Sequence, residues 1–139
     1  MALKQIARTL VEEMVAHARA AAPEECCGLL GGRGREAESV YSLRNVAPEA
    51  AKAYEAAPED LFAAQRQMRE RGERLVGVYH SHPRSDDPAP SEKDVRLAFY
   101  PEAVYFIIGF TRAGGDCVVG AFRIYEAEGR WERADVRIV

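Results

Sequence analysis

Two histidines separated by one residue, His80 and His82, are the side chains of this sequence best suited to chemistry. They follow a run of β-forming residues, and alternate residues of a strand point to the same face. Two imidazoles on one face are a natural start for a tetrahedral zinc site. Asp94, one turn into a helix that begins at Ser91, offers a third ligand. Three protein ligands leave the fourth position to water, which is the pattern of catalytic rather than structural zinc sites.

A hydrolytic zinc site also needs a proton carrier and a donor for developing negative charge. Zinc lowers the pKa of its water to about 7, and a base then moves the proton to the leaving group. Glu25 is the candidate base, because it stands at the start of an otherwise apolar run, residues 26–30. The Ser91 hydroxyl is a candidate donor to a tetrahedral oxyanion, a role worth about 3 to 4 kcal/mol in other enzymes.

Each of these features alone has a simpler explanation. A lone His-x-His pair is weak support for a metal. Ser91 with an acidic residue three positions later is a common helix start. Glu25 beside Glu24 also fits an ordinary surface carboxylate. The combination favours a metal hydrolase, because the features serve one reaction and come from adjacent elements.

The chain length predicts one domain over residues 1–139, and hydrophobic periodicity predicts that helices and strands are mixed in it. Helices are predicted where apolar residues recur at helical spacing, and strands where β-forming runs end in turn residues. The predicted helices cover residues 3–21, 58–71 and a segment from Ser91, and the predicted strands cover residues 26–32, 38–46, 75–79, 104–110, 116–126 and 131–139. This order indicates an α/β or α+β fold with a central sheet.

Composition narrows the classes of function. The chain has 139 residues, of which 47% are apolar and 29% charged, and its net charge is −3. No run of Lys or Arg exceeds two, which argues against nucleic acid and anionic membrane as partners. No apolar stretch approaches the roughly 20 residues of a spanning helix, and no signal peptide is evident. The three cysteines, an odd number, fit a reducing cytoplasm better than a disulfide framework.

Three motifs together resemble the JAMM family of metalloproteases, also called Mov34/MPN/PAD-1. Residues 23–30, PEECCGLL, are similar to the family's Pro-x-Glu-x-Cys-Gly-Leu-Leu segment, and this alignment selects Glu25 as the base. Residues 77–83, GVYHSHP, and residues 90–94, PSEKD, match its His-x-His-Pro and Pro-Ser-x-x-Asp motifs. Residues 54–61 also resemble the segment before the family's middle helix, so the likeness extends over most of the chain.

The resemblance implies a cofactor, a fold and a substrate class. His80, His82 and Asp94 are then the ligands of one zinc ion per chain. Glu25 activates the water, and Ser91 helps to stabilise the transition state. The implied fold is a central, mixed but mostly antiparallel sheet flanked by helices, as in cytidine-deaminase-like folds. The implied reaction is hydrolysis of an amide bond after the C-terminal Gly-Gly of a ubiquitin-like or sulfur-carrier protein, whose tail binds by strand addition.

The loop between His82 and Ser91 departs from the family pattern. It has eight residues where the family usually has seven, so Asp86 or Asp87 could compete as a ligand. An insertion in a loop costs little and should leave the other ligands in place. Residues 85–90 also resemble the corresponding loop of the RadC branch of this superfamily, which has Asn between its histidines.

Two other functions stay open at the level of sequence. Many MPN domains have lost their ligands and act as scaffolds that hold partners, although every motif position is filled here. A zinc hydrolase of a small, non-protein amide would keep the same residues and differ only in its groove. An apolar strand at a sheet edge could also support a homodimer.

Overall fold

A computed structural model describes residues 2–111 and 116–139. The helices and strands, in chain order, are β1 (Gln5–Ile6), α1 (Arg8–Ala21), β2 (Cys27–Gly32), β3 (Glu36–Ala37), β4 (Ser39–Leu43), α2 (Pro58–Glu70), β5 (Arg74–His82), α3 (Glu92–Arg96), β6 (Val104–Phe110), β7 (Cys117–Tyr125), β8 (Arg130–Arg133) and β9 (Arg137–Ile138). Within these residues, no helix has the length and apolar character needed to cross a bilayer.

Six of the strands form one sheet in the order β4-β2-β5-β6-β7-β8. β2 is antiparallel to both β4 and β5, and the pairs β6–β7 and β7–β8 are also antiparallel. β5 and β6 are parallel, and the chain passes through α3 between them, since parallel neighbours need a crossover. The prediction of a mixed, mostly antiparallel sheet flanked by helices is confirmed.

Helices cover both faces of this sheet. On one face, Met14 of α1 belongs to a buried cluster that includes Leu30 of β2. On the other face, Met68 of α2 and Val95 of α3 belong to a second cluster that includes Leu29. Successive residues of β2 therefore point into different cores, and all six of its residues are buried. The central strands are thus rigid supports for any residue at their ends.

The first helix begins later than the sequence predicts. Leu3 and Ile6 share the apolar spacing of α1, yet Gln5 and Ile6 pair as a short strand with β3 and β9. Ile6 is fully buried there, and α1 begins only at Arg8. Pairing with strands from distant parts of the chain outweighs the local helical pattern, because tertiary context overrides propensity.

The last predicted strand, residues 131–139, is divided in two. β8 pairs with β7 and extends the large sheet, whereas β9 pairs with β1 in a separate three-stranded sheet. The Ala134 N–H still donates to the Ala121 carbonyl at 2.8 Å, and the chain then leaves the large sheet. The other predicted elements agree with the structure to within three residues at each end.

Candidate metal centre and active site

His80, His82 and Asp94 come together at the C-terminal end of β5. The Nε2 atoms of the two histidines are 3.1 Å apart. Asp94 Oδ1 lies 3.1 Å from His80 Nε2, and Asp94 Oδ2 lies 3.1 Å from His82 Nε2. Among the described residues, these three form the group whose donor atoms could hold a metal ion.

Two elements position these side chains. β5 lies inside the sheet between β2 and β6, so His80 is only 1% exposed. At the start of α3 a capping box is formed: the Ser91 Oγ accepts the Asp94 N–H, and the Asp94 Oδ2 accepts the Ser91 N–H. The cap therefore holds the Asp94 carboxylate where both histidines can reach it.

The imidazoles of His80 and His82 contact different neighbours. The Tyr54 ring stacks on His80 with ring centroids 4.7 Å apart and planes inclined by 14°. The Nδ1 atom of His82 lies 3.4 Å from the carbonyl oxygen of Asp87, which is a long contact. The buried Nδ1 of His80 has no hydrogen-bond partner within residues 2–111 and 116–139. Ring packing, rather than a hydrogen bond at this nitrogen, therefore orients His80.

The additional residue in the loop after His82 brings no competing ligand to this centre. Asp87 Oδ1 accepts the Ala89 N–H at 2.9 Å and so stabilises a turn within the loop. The Ser85 carbonyl accepts the Phe110 N–H at 2.8 Å, which ties the loop to the end of β6. The group of side chains that could hold a metal contains neither Asp86 nor Asp87, so the expectation of a competing aspartate is not supported.

The electrostatics of the centre keep its carboxylate anionic. Burial disfavours the charged form of Asp94, but hydrogen bonds from His80 and His82 hold its pKa below the usual range. Burial lowers the pKa of His82, and the hydrogen bond and charge of Asp94 outweigh that effect and raise it. An anionic carboxylate beside two imidazoles is the form that binds a divalent cation, in exchange for protons.

Glu25 lies at the same site as the three possible metal ligands. It lines, together with His82, Ser91 and Asp94, a cavity of about 210 Å³. Burial raises the pKa of the Glu25 carboxyl, and His80 and His82 partly offset this rise. A partly buried carboxyl with a raised pKa beside a cluster of ionisable groups is typical of an active site. The structure thus brings together all five residues that the sequence singled out.

Two residues that the sequence does not single out, Ser81 and Asn45, fix the backbone at and beside Glu25. Ser81 is fully buried between the two histidines, and its Oγ accepts the Cys26 N–H at 2.9 Å. The Asn45 Nδ2 donates to the Glu25 carbonyl at 2.9 Å. The available signal for Ser81 was its position between the two histidines, in a strand that is buried over most of its length. The contacts of Asn45 depend on the path of a loop, which no local pattern reports.

A larger, mostly apolar cavity of about 590 Å³ adjoins the small one. Four residues line both cavities: Ala53, Tyr54, Lys93 and Leu97. The apolar side chains that line only the larger cavity include Leu29, Leu43, Leu61, Val78 and Phe99. These residues come from β2, β4, α2, β5 and the segment after α3, so the cavity lies on the sheet face that α2 and α3 cover.

Comparison with known proteins relates the chain to peptidases. Residues 7–124 match the family described as prokaryotic homologs of the JAB domain. The chain is 38% identical to a desampylase of Haloferax volcanii over 102 residues, which are 69% of this chain and 73% of that protein. It is 41% identical over 105 residues to a probable TtuB-protein conjugate cleaving protease of Thermus thermophilus, covering 75% of this chain and 68% of that one.

Solved structures agree on the fold. The solution structure of a protein from Desulfitobacterium hafniense matches with a TM-score of 0.83 and 33% identity, over 99% of this chain and 93% of that one. A JAB1/MPN domain protein of Archaeoglobus fulgidus matches with a TM-score of 0.58 and 22% identity, over 96% of this chain and 98% of that one, which shows likeness of fold alone. The chain belongs to the prokaryotic JAB-domain family, within the JAMM/MPN group that its motifs resemble.

Proposed function

We propose that the protein is a zinc-dependent peptidase or isopeptidase that hydrolyses an amide bond. The observation that carries the proposal is the convergence of two imidazole nitrogens and one carboxylate beside a cavity that also holds Glu25 and Ser91. This set contains metal ligands, a base and an oxyanion donor for one reaction. A domain that serves only as a scaffold has no use for such a set.

The donor set fits zinc. Zn²⁺ takes imidazole nitrogen and carboxylate oxygen at about 2.0 to 2.2 Å in tetrahedral sites, which separates neighbouring ligand atoms by roughly 3.3 Å. The Nε2 atoms of His80 and His82 are 3.1 Å apart, and each lies 3.1 Å from one oxygen of Asp94, which is Oδ1 for His80 and Oδ2 for His82. One zinc ion per chain, held by these three residues, would supply a Lewis acid that lowers the pKa of water to about 7.

Glu25 is the proposed general base. It is the second carboxylate of the small cavity, and burial raises its pKa toward the range in which one group can both accept and return a proton. It accepts the proton of the attacking water and delivers it to the leaving nitrogen as the C–N bond breaks. Asp94 is unsuited to this task, because its two oxygens face His80 and His82.

Ser91 is the proposed donor to the oxyanion. Its Oγ accepts the Asp94 N–H at 3.1 Å, which fixes the position of the oxygen. The hydroxyl hydrogen can still be donated to a second partner, because a serine hydroxyl both donates and accepts. Ser91 lines the small cavity with Glu25, so donor and base act on the same bound group.

The proposed substrate is a ubiquitin-like or sulfur-carrier protein joined to an amine through its C-terminal Gly-Gly. Two relatives support this class, since one is named a desampylase and the other a protease that cleaves TtuB-protein conjugates. The adjoining cavity of about 590 Å³ offers apolar surface beyond the reacting centre, where residues of the carrier could bind. Glycines at the cut suit the small cavity of about 210 Å³, which has little room for side chains.

A cytoplasmic location is part of the proposal. All three cysteines are free thiols, as expected in a reducing compartment. Burial raises the pKa of Cys26 to about 11 and that of Cys27 to about 12, so both stay protonated and unreactive at neutral pH. Binding to nucleic acid is not expected from the net charge of −3. The homodimer stays a prediction, as does the assignment of residues 1–139 to one domain.

A cleavage assay with matched substrates tests the function. The substrate is a ubiquitin-like carrier that ends in Gly-Gly and is fused to a reporter peptide, and the control carries Ala-Ala instead. The zinc-loaded protein should cut after the second glycine about 100-fold faster than it cuts the control. Equal cleavage of the two would refute the substrate class. Absence of cleavage by protein that holds one zinc per chain would favour the scaffold function.

A further inference from the structure

Asn45, just beyond the end of β4, makes an unusually dense set of hydrogen bonds with its side chain. Its Nδ2 donates to three backbone carbonyls, and its Oδ1 accepts from two backbone N–H groups. The acceptors are the carbonyls of Glu25 (2.9 Å), Ala53 (3.0 Å) and Ala50 (3.3 Å), and the donors are the N–H groups of Ala47 (3.0 Å) and Glu55 (3.0 Å). An amide side chain has two N–H hydrogens and an oxygen with two lone pairs, so all of its capacity is used here, with one hydrogen shared between two carbonyls.

These bonds join two parts of the active site. One part is the chain at Glu25, whose own N–H donates to the Ala50 carbonyl at 2.8 Å. The other part is the loop formed by residues 46–55, which contributes Ala53 and Tyr54 to the small cavity. The same loop lays the Tyr54 ring on His80. One amide group therefore fixes the base and a wall of the cavity relative to each other.

The chemistry of the position requires an amide of this length. Aspartate has the same shape, but it would place a carboxylate oxygen against three carbonyl oxygens and remove both donated hydrogens. The repulsion and the loss of the bonds would let the loop and the chain at Glu25 move apart. Asn45 itself lines neither of the two cavities beside α3, so its side chain is not expected to touch a substrate in them.

We propose that Asn45 is a positioning residue that couples the general base to the loop 46–55. The inference rests on the proposed function, in which Glu25 is the base. It assigns two separate effects to one side chain. Turnover depends on Asn45 through the position of Glu25, and substrate affinity depends on it through the cavity wall that carries Tyr54.

Kinetics of Asn45→Asp, with Tyr41→Phe as the matched control, test this coupling. Both substitutions keep the shape of the side chain and remove hydrogen bonds, but Tyr41 bonds to Glu73 and Arg71, away from the small cavity. At a temperature at which all variants stay folded, Asn45→Asp should keep about one zinc per chain and lose about 10- to 100-fold in kcat, with a raised KM. Tyr41→Phe should change kcat and KM by less than about twofold.

A double variant separates positioning from general damage. In the Glu25→Gln background the base is already missing, so adding Asn45→Asp should lower the residual kcat by less than about twofold. A purely structural loss would lower the residual rate as much as it lowers the wild-type rate. Full additivity of the two substitutions would therefore overturn the proposal.

Hydrogen exchange provides a readout that does not depend on activity. The amide of Glu25, which donates to the Ala50 carbonyl across the two segments, should exchange about tenfold faster in Asn45→Asp than in wild type, and not in Tyr41→Phe. The amides of Ala47 and Glu55 are expected to change less, because a carboxylate oxygen at position 45 still accepts their N–H groups. Unchanged exchange, or wild-type kcat and KM in Asn45→Asp, would overturn the inference. If the wild-type protein cleaves no substrate, the proposed function fails instead, and the exchange rates alone then decide whether Asn45 couples the two segments.

Discussion

The two cavities beside α3 are built in different ways. The small one holds the ionisable and hydroxyl groups of the site, and specific bonds fix the two carboxylate-bearing segments: the helix cap fixes Asp94, and Asn45 fixes the backbone at Glu25. The large one is lined mainly by apolar side chains from several elements. Tyr54 and Leu97 belong to both, so the cavities meet along one border.

From this difference we expect the small cavity to serve catalysis and the large cavity to serve substrate binding. Groups that stabilise a transition state must be placed to a fraction of an ångström, so a single change in the small cavity should have a large effect. Apolar surface contributes roughly in proportion to the area that is buried, so changes in the large cavity should be graded. Substitutions in the small cavity should therefore alter metal content or kcat, and those in the large cavity should alter KM.

Asp94→Ala should have the largest effect, because it removes a proposed metal ligand and half of the capping box. Zinc should fall from about one to near zero per chain, and activity should fall by at least about 1,000-fold. Loss of the cap should also destabilise the fold by about 1 kcal/mol. Elemental analysis and thermal unfolding measure both effects. Glu92→Ala, an exposed change in the same helical turn, should keep metal and activity.

Glu25→Gln should come next, because it removes only the proposed general base. Zinc content should stay at about one per chain while kcat falls by about 100- to 10,000-fold. Steady-state kinetics on the Gly-Gly fusion measure the loss, and Glu24→Gln, a change in the exposed neighbour, is the control. Normal turnover by Glu25→Gln would show that the assignment of the general base is wrong.

Ser91→Ala should lose a donor and a cap while leaving all three ligands. We expect a fall in kcat of about 100-fold, with zinc retained, because the proposed hydrogen bond from Ser91 to the oxyanion is lost. Ser91→Thr keeps a hydroxyl at the helix start and should recover most of this rate. If Ser91→Thr were as slow as Ser91→Ala at equal stability, the hydroxyl would have no part in the reaction.

Phe99→Ala should have the smallest effect, and it should change KM rather than kcat. Phe99 lines the large cavity and is 67% exposed, whereas Phe62 is 63% exposed and lines neither cavity beside α3. Phe99→Ala should raise KM by about three- to tenfold with little change in kcat, because it removes apolar contact with the carrier. Phe62→Ala should leave both constants unchanged. Equal effects of the two would remove the large cavity from substrate recognition.

The parts of the site that are local in sequence could be predicted. Strand alternation places His80 and His82 on one side, and the helix start places Asp94 within reach. Glu25 was a candidate because it stands at the start of an apolar run, and the family motif selected it over Glu24, but nothing near it in the sequence indicates its partner. The structure supplies the reason: β2 pairs with β5 so that Cys27 lies opposite His80, and Glu25 is brought to the end of the same strands.

The parts that depend on distant pairing or on the path of a loop could not be predicted. Ile6 fits the helical pattern of α1 and yet lies in a strand, because β3 and β9 offer it backbone partners. Asn45 carries no sign of its five hydrogen bonds, since four of its partners lie in a loop without periodicity. Such contacts become visible only when the backbone is known.

The most direct test of the central claim is the zinc content of the purified protein beside that of His80→Ala/His82→Ala, measured by elemental analysis after mild dialysis. The account predicts about one zinc per chain in the wild type and a loss of that zinc in the double variant. A wild-type protein that holds no zinc and takes up none from micromolar solution would contradict it, and so would equal zinc in the two proteins.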